Sequence, residues 1–196
     1  MDASLEGAFA DPVHEAQQAF RAILDALANP GQVQVLPIPA VTNLRLSGEF
    51  VSTLLTLTDH DTPIWLADCY RSEALFAFIG FHTGAPIVEA MDRAQFAFTD
   101  AASLPRLEQF NPGTQEYPDR STTIIVELPA LTGGPALTLR GPGIENTITI
   151  SPPGLPADFT EQWAANREIF PRGVDLLLVS GGQVLGLPRS TRIGEA

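Results

Sequence analysis

The chain contains no lysine, and all 11 of its basic residues are arginine. A P-loop nucleotide-binding site uses a lysine against the β- and γ-phosphates, so a Walker-type ATPase is excluded. Pyridoxal phosphate enzymes form a Schiff base with a lysine, so that chemistry is excluded as well. Arginine remains able to hold one small phosphorylated ligand, because its planar guanidinium matches phosphate oxygens.

Cysteine is almost absent too, since Cys69 is the single one in the chain. One cysteine cannot close an intrachain disulfide, and it cannot supply the ligands of an iron–sulfur cluster or a structural zinc site. We therefore expect no metal and no cofactor on this chain. The low cysteine content, the acidic N-terminus and the lack of a signal peptide favour the cytoplasm. No apolar run approaches the length of a membrane span.

Positive charge is scarce: the net charge is −12 and the isoelectric point is about 4.5. This surplus of carboxylates argues against nucleic acid or an anionic membrane as a partner, because phosphate-rich surfaces attract net positive charge.

The chain has 196 residues, of which 44% are hydrophobic, and this predicts one domain over residues 1–196 with a substantial core. Proline and glycine are spread over many short turns and form no linker.

Capping signals mark where helices begin. Asp11 before Pro12 predicts the first helix, and Ser47 predicts the second, because both side chains can accept a bond from a free helix N–H. A third helix is expected over residues 72–79. The segment FHTGAP, residues 81–86, is expected to form a loop after it.

Acidic residues at two positions farther along the chain predict the starts of shorter helices, and apolar segments between turns predict strands. Asp100 is expected to cap a short helix, and Asp158 with Glu161 is expected to form a capping box. The alternation of elements predicts a single layered α/β/α domain with a mixed sheet. The predicted strands cover residues 32–36, 63–67, 94–98, 122–128, 136–139, 147–150, 173–179 and 184–187.

The stretch GTQEYPDRS, residues 113–121, is the leading candidate for a binding site. It places Glu116, Tyr117, Asp119 and Arg120 directly before a predicted strand. Charged groups are costly to bury unpaired, and loops at strand mouths often hold a ligand or a partner. The alternative is an acidic solvated turn in which Arg120 pairs with Asp119 or Glu116.

His82 and Thr83 form a second candidate, because an imidazole and a hydroxyl in a flexible loop suit an anion or acid–base site. The alternative is an ordinary loop histidine, which is common. The run Asp59-His60-Asp61 is expected to be a polar turn with His60 exposed and not a metal site, because adjacent residues rarely point at one ion.

Arg140, Gly141 and Gly143 follow a predicted strand and form a third candidate. A guanidinium beside glycines that allow close backbone approach suits a phosphate. The alternative is a glycine-rich hairpin with Arg140 on its rim. Arg172, at a Phe-Pro corner, is a further ligand candidate.

Asp175 lies in an otherwise apolar strand, so it needs a partner, and an ion pair with Arg172 or Arg189 is favoured. Arg189 and Arg192 are otherwise expected to meet a partner subunit or an anion, or to be solvated. The sequence has no nucleophile elbow and no dinucleotide fingerprint. It therefore offers binding residues more readily than a catalytic set, and no catalytic residue is assigned.

Six segments, in this order, resemble the H subunit (PhnH) of the bacterial carbon–phosphorus lyase core complex. The resemblance covers about residues 7–192. The segments are FADPVHEAQQAFRAILDALANPG (9–31), FHTGAP (81–86), GTQEYPDRSTTIIVEL (113–128), LRGPGIE (139–145), WAANREIFPRGVDLLLV (163–179) and LPRSTR (187–192).

The resemblance implies the architecture of pyridoxal-phosphate-dependent transferases, which here cannot carry that reaction because lysine is absent. It implies a homodimer in isolation that joins companion G, I and J subunits. The assembly transfers the ribose triphosphate part of ATP to a phosphonate with release of adenine. A separate subunit, with S-adenosylmethionine and an iron–sulfur cluster, later cleaves the carbon–phosphorus bond. The alternative for this chain is a non-catalytic assembly subunit that dimerises and docks its partners.

Overall fold

The computed structural model describes residues 8–40 and 46–195. The predicted domain and the resemblance both begin before residue 8, and that part lies outside the described residues. The described helices are α1 (Pro12–Ala28), α2 (Gly48–Leu57), α3 (Glu73–His82) and α4 (Phe159–Glu168). The described strands are β1 (Val33–Val35), β2 (Ile64–Leu66), β3 (Phe96–Asp100), β4 (Thr123–Glu127), β5 (Leu137–Arg140), β6 (Ile148–Ile150), β7 (Asp175–Ser180), β8 (Gln183–Leu187) and β9 (Arg192–Glu195).

The first two helices begin at the predicted caps. The Asp11 carboxylate accepts a bond from the backbone N–H of His14 at 3.2 Å, and Pro12 is the first helical residue. The Ser47 hydroxyl accepts one from the N–H of Phe50 at 3.2 Å. Both predictions are confirmed, because a cap depends on a few neighbouring residues alone.

The predicted mixed sheet is confirmed. Its six strands lie in the order β1-β8-β7-β4-β3-β2. Strands β2, β3, β4 and β7 are parallel, whereas β8 and β1 are antiparallel to their neighbours. A second, antiparallel sheet has the order β6-β5-β9. Strand β9 was not predicted from the sequence.

The two faces of the large sheet are covered differently. Helices α1, α2 and α3 cover one face with a core that includes Phe50 and Phe78. The other face is covered by α4, through Trp163, and by the second sheet, through Leu139 and Ile150. The fold is therefore α/β, as predicted, but a small sheet shares the second outer layer with its helix.

Helix α3 ends later than predicted. His82 is its last residue, so residues 81 and 82 lie in a helical turn and not in the predicted loop. The backbone N–H groups of Thr83 and Gly84 both bond to the carbonyl of Ile79, at 3.0 and 2.8 Å. These bonds close the last turn of the helix, so the loop begins at residue 83.

Two predicted helix caps are wrong. Asp100 ends β3, and its carboxylate accepts the N–H of Ser103 at 2.7 Å in a turn, while the helix that follows is only a short 3-10 turn at Leu107–Gln109. Asp158 precedes α4 but makes no capping bond. Its carboxylate instead accepts bonds from the side chains of Gln162 at 2.9 Å and Arg106 at 3.0 Å.

An apolar patch covers the outer side of α1 and the adjoining edge strand β1. It consists of Val13, Phe20 and Leu24 on α1 with Val33 and Val35 on β1, and their exposed fractions run from 40% to 73%. Exposed clusters of large apolar side chains often mark protein interfaces. None of the helices in the described chain is long and apolar enough to cross a bilayer.

Candidate functional site

The loop of residues 113–121 is built around Asn111. The N–H of Thr122 bonds to the Asn111 carbonyl at 2.9 Å, which brings the two ends of the loop together. The Asn111 side chain donates to the carbonyl of Arg120 at 3.1 Å and accepts from the N–H of Gly113 at 2.9 Å. The loop is therefore held in shape by its own polar groups. The role of Asn111 in holding this loop was not predicted from the sequence, because no local sequence pattern indicates it.

The charged side chains of this loop point to solvent. Glu116, Tyr117, Asp119 and Arg120 are all exposed. The Arg120 guanidinium lies 4.2 Å from the centroid of the Tyr117 ring, and within the described chain it makes no ion pair with either carboxylate. The internal ion pair considered as an alternative is therefore not formed. A stacked guanidinium keeps its N–H donors available to a ligand.

Arg189 fastens this loop to the sheet. Its guanidinium makes a bidentate ion pair with Asp175, with Nε 3.0 Å from Oδ1. It also donates to the Pro118 carbonyl and to the Ser121 hydroxyl, both at 2.5 Å. The two ionic side chains are only 14% and 17% exposed. The predicted pairing of Asp175 is confirmed with Arg189, which acts as an anchor and is not available to a ligand.

The loop lies at the amino end of β4. In parallel α/β sheets, ligands usually bind beyond the carboxyl ends of the strands. The candidate loop therefore lies at the opposite end of the strands from the usual site. The amino-acid composition of the loop could not predict this, because composition does not specify the direction of a strand.

Arg140 lies beside a second arginine. It ends β5, and the antiparallel pairing of β5 with β9 places it directly opposite Arg192. Both side chains are exposed. A Cβ on Gly141 would lie 3.1 Å from the Ser190 carbonyl oxygen, so this turn packs against the chain between Arg189 and Arg192. The segment 188–192 thus lies between the anchored loop and the β5–β6 hairpin.

The remaining candidate site residues lie in two separate parts of the fold. Arg172 is half-buried and precedes Gly173, whose N–H bonds to the Pro112 carbonyl at 2.8 Å, so it flanks the loop 113–121. His82 and Thr83 end α3, on the other face of the sheet. The His82 ring lies against Phe78, with 4.2 Å between the centroids. The structure therefore gathers the arginine candidates around segment 188–192 and places the histidine elsewhere.

The carboxyl ends of the parallel strands border a different, acidic cavity of about 530 Å³. Tyr70 donates to the Glu127 carboxylate at 2.5 Å, and Asp100 lies opposite Glu127 in neighbouring strands. Partial burial raises the pKa of the nearby Cys69 thiol, so the thiol stays protonated at neutral pH. Carboxylates repel phosphate, so this cavity does not suit a phosphorylated ligand.

Tyr70 should make the protein less stable in alkali. Burial, and then the bond and charge of Glu127, raise the pKa of Tyr70 above its usual value of about 10. A raised folded-state pKa gives stability that is present below about pH 10 and is lost as the pH rises further. We expect the free energy of unfolding to fall by up to about 1.4 kcal/mol per pH unit above pH 10 through this group.

Urea unfolding between pH 9 and 11.5 measures this effect. The absence of lysine leaves few other side chains that titrate in this range. Tyr70→Phe should flatten the alkaline fall, and Tyr117→Phe, which removes the other tyrosine hydroxyl from an exposed site, is the matched control. Equal slopes in the wild type and Tyr70→Phe would show that the Tyr70 hydroxyl is not held protonated by its surroundings.

Comparison with known proteins agrees with the six sequence segments. The family model described as "Bacterial phosphonate metabolism protein (PhnH)" matches residues 7–194. A protein of Rhizobium meliloti (strain 1021), "Alpha-D-ribose 1-methylphosphonate 5-triphosphate synthase subunit PhnH", is 50% identical over 188 residues, which cover 95% of this chain and 94% of the relative. The "Putative C-P lyase subunit protein HtxG" of Stutzerimonas stutzeri is 33% identical over 181 residues, 90% of this chain and 85% of the relative. The chain therefore belongs to the PhnH family of bacterial phosphonate metabolism proteins.

Proposed function

We propose that the chain is a subunit of an assembly that transfers the ribose triphosphate part of ATP to a phosphonate and releases adenine. The observation that carries this proposal is the 50% identity, over 95% of the chain, to a relative named as a subunit of α-D-ribose 1-methylphosphonate 5-triphosphate synthase. Near-complete coverage of both chains means that the whole fold, and not one shared segment, is similar.

The chemistry of this transfer suits the residues around segment 188–192. Both reactants are anionic: one is a nucleoside triphosphate and the other a phosphonate. Their reaction requires that two anions be held together and oriented, which arginines do well. Arg120, Arg140 and Arg192 are exposed in a chain whose net charge is −12. The substrates are therefore most favourably placed at these arginines, with Arg172 beside the loop.

Several properties belong to the same proposal. The chain forms a homodimer when isolated, joins companion G, I and J subunits in the cytoplasm, and carries no cofactor or metal of its own. Its architecture is that of pyridoxal-phosphate-dependent transferases without their reaction. Two observations support these points: both relatives are named as subunits, and the chain lacks the lysine that pyridoxal phosphate requires.

Reconstitution tests the subunit role. The companion subunits would be purified with and without this chain, and adenine release would be measured from ATP plus methylphosphonate. We expect release only when this chain is present, and its return when the purified chain is added back. Undiminished release without the chain would rule out an obligatory part in the transfer.

The second candidate is a non-catalytic assembly subunit. The apolar patch on α1 and β1 favours it, because such a surface is costly to leave in water and fits a protein partner. The same reconstitution separates the two. An assembly subunit would change the size of the complex when omitted, and substitutions at the exposed arginines would leave the rate of adenine release unchanged.

A further inference from the structure

The outer face of the second sheet carries an arginine pair among small polar residues. Side chains alternate along a strand, and Leu139 points into the core, so its neighbours Thr138 and Arg140 point outward. Across the β5–β9 pairing, Arg192 lies opposite Arg140, and Gly194 lies opposite Thr138. Across the β5–β6 pairing, the exposed Thr149 also lies opposite Thr138.

This pairing of like charges has an energetic cost. Side chains directly opposite each other in an antiparallel pair have Cβ atoms about 5 Å apart, and like charges at such positions destabilise the pairing. None of the side chains described on this face is a carboxylate, and the described contacts give neither arginine an ion-pair partner. The exposed Glu145 of the hairpin turn makes no ion pair with either of them. A bound anion would convert the repulsion into attraction.

We propose that Arg140 and Arg192 form a clamp for the polyphosphate chain of a nucleoside triphosphate. The clamp rests on the proposed function and assigns the triphosphate part of its substrate to this face. Each guanidinium carries five N–H donors, so two of them on opposed residues of a strand pair can donate to oxygens on neighbouring phosphates. The clamp includes Arg192, which would act together with Arg140 and not as a solvated end of the chain.

The surroundings favour a polyphosphate over a single carboxylate. A Cβ placed on Gly194 would have nothing within 4 Å, so an extended ligand can approach the backbone of β9. The hydroxyls of Thr138 and Thr149 add donors along the same face. The net charge of the chain is −12, which disfavours a highly charged anion over most of the surface, so binding should concentrate at the arginine pair.

Binding to the intact isolated chain tests the clamp directly. Titration calorimetry at low salt would use inorganic triphosphate, ATP and adenosine as probes. The variants are Arg140→Gln, Arg192→Gln and the double variant. Arg21→Gln, at an exposed arginine of α1, is the matched control for loss of one positive charge. We expect triphosphate and ATP to bind, adenosine not to bind, and each clamp substitution to weaken binding about tenfold or more.

Thermal unfolding supplies an independent readout. Without ligand, Arg192→Gln should not lower the melting temperature, because it removes a repulsion. Triphosphate should raise the melting temperature of the wild type and of Arg21→Gln but not that of the double variant. Equal triphosphate binding by the wild type and the double variant would overturn the clamp, as would binding of ATP without binding of triphosphate. If the chain binds triphosphate normally but is dispensable for adenine release, the clamp is supported and the proposed function is rejected.

Discussion

Asp175→Ala is expected to lower the free energy of unfolding by about 3–5 kcal/mol, because it leaves the Arg189 guanidinium buried without its counter-charge. Asp175 begins β7, and its side chain is 17% exposed. Arg189 would keep only the Pro118 carbonyl and the Ser121 hydroxyl as partners. Urea unfolding followed by tryptophan fluorescence measures the change.

The matched control is an ion pair at the surface. Glu108→Ala removes a partner of Arg106, and their side chains are 72% and 54% exposed, so we expect a loss within about 1 kcal/mol. Joint replacement of Asp175 and Arg189 by apolar residues of similar size should cost less than Asp175→Ala. A similar small loss for Asp175→Ala and Glu108→Ala would mean that the buried pair does not hold the loop 113–121.

Gly143→Ala is expected to have the second largest effect. Gly143 has a φ of +81°, and a Cβ built on it would lie 2.0 Å from the Ala28 carbonyl oxygen at the end of α1. The strain of the left-handed conformation costs about 1–2 kcal/mol. The forced contact adds about 1–3 kcal/mol, as overpacking does elsewhere. The measurement is again the free energy of unfolding in urea.

Gly133 provides a control with the same backbone requirement. Its φ is +102°, but a Cβ there would meet nothing within 4 Å. Gly133→Ala should therefore show the strain without the contact, at about 1–2 kcal/mol. Losses of the same size at both positions would show that the hairpin can move away from α1. A larger loss of unfolding free energy at Gly143 would show that this glycine is needed for packing against the end of α1, whether or not it also approaches a ligand.

Features that depend on neighbouring residues could be predicted from the sequence. Asp11 and Ser47 cap helices because a cap needs an acceptor and a free N–H a few residues later. The partner of Asp175 could be predicted as one of two arginines, since a carboxylate in an apolar strand requires a cation. The cap predicted at Asp158 was wrong because its carboxylate bonds to Gln162 and Arg106 instead.

Features that depend on strand pairing could not be predicted. Arg140 and Arg192 become neighbours only when β9 adds to β5, and nothing near residue 192 in the sequence indicates a strand with that register. The bond between Tyr70 and Glu127 joins residues 57 positions apart. The composition of the loop 113–121 indicated a candidate site, but its place at the amino end of β4 depends on the direction of that strand in the sheet.

The proposed function requires that this chain contribute arginines to the transfer and not only hold the assembly together. The deciding measurement is the rate of adenine release by the complex reconstituted with the Arg140→Gln, Arg192→Gln double variant, after gel filtration has shown that the complex is intact. We expect the rate at limiting ATP to fall about tenfold or more, with Arg21→Gln unchanged. An intact complex that releases adenine at the wild-type rate would contradict the claim and leave this chain an assembly subunit.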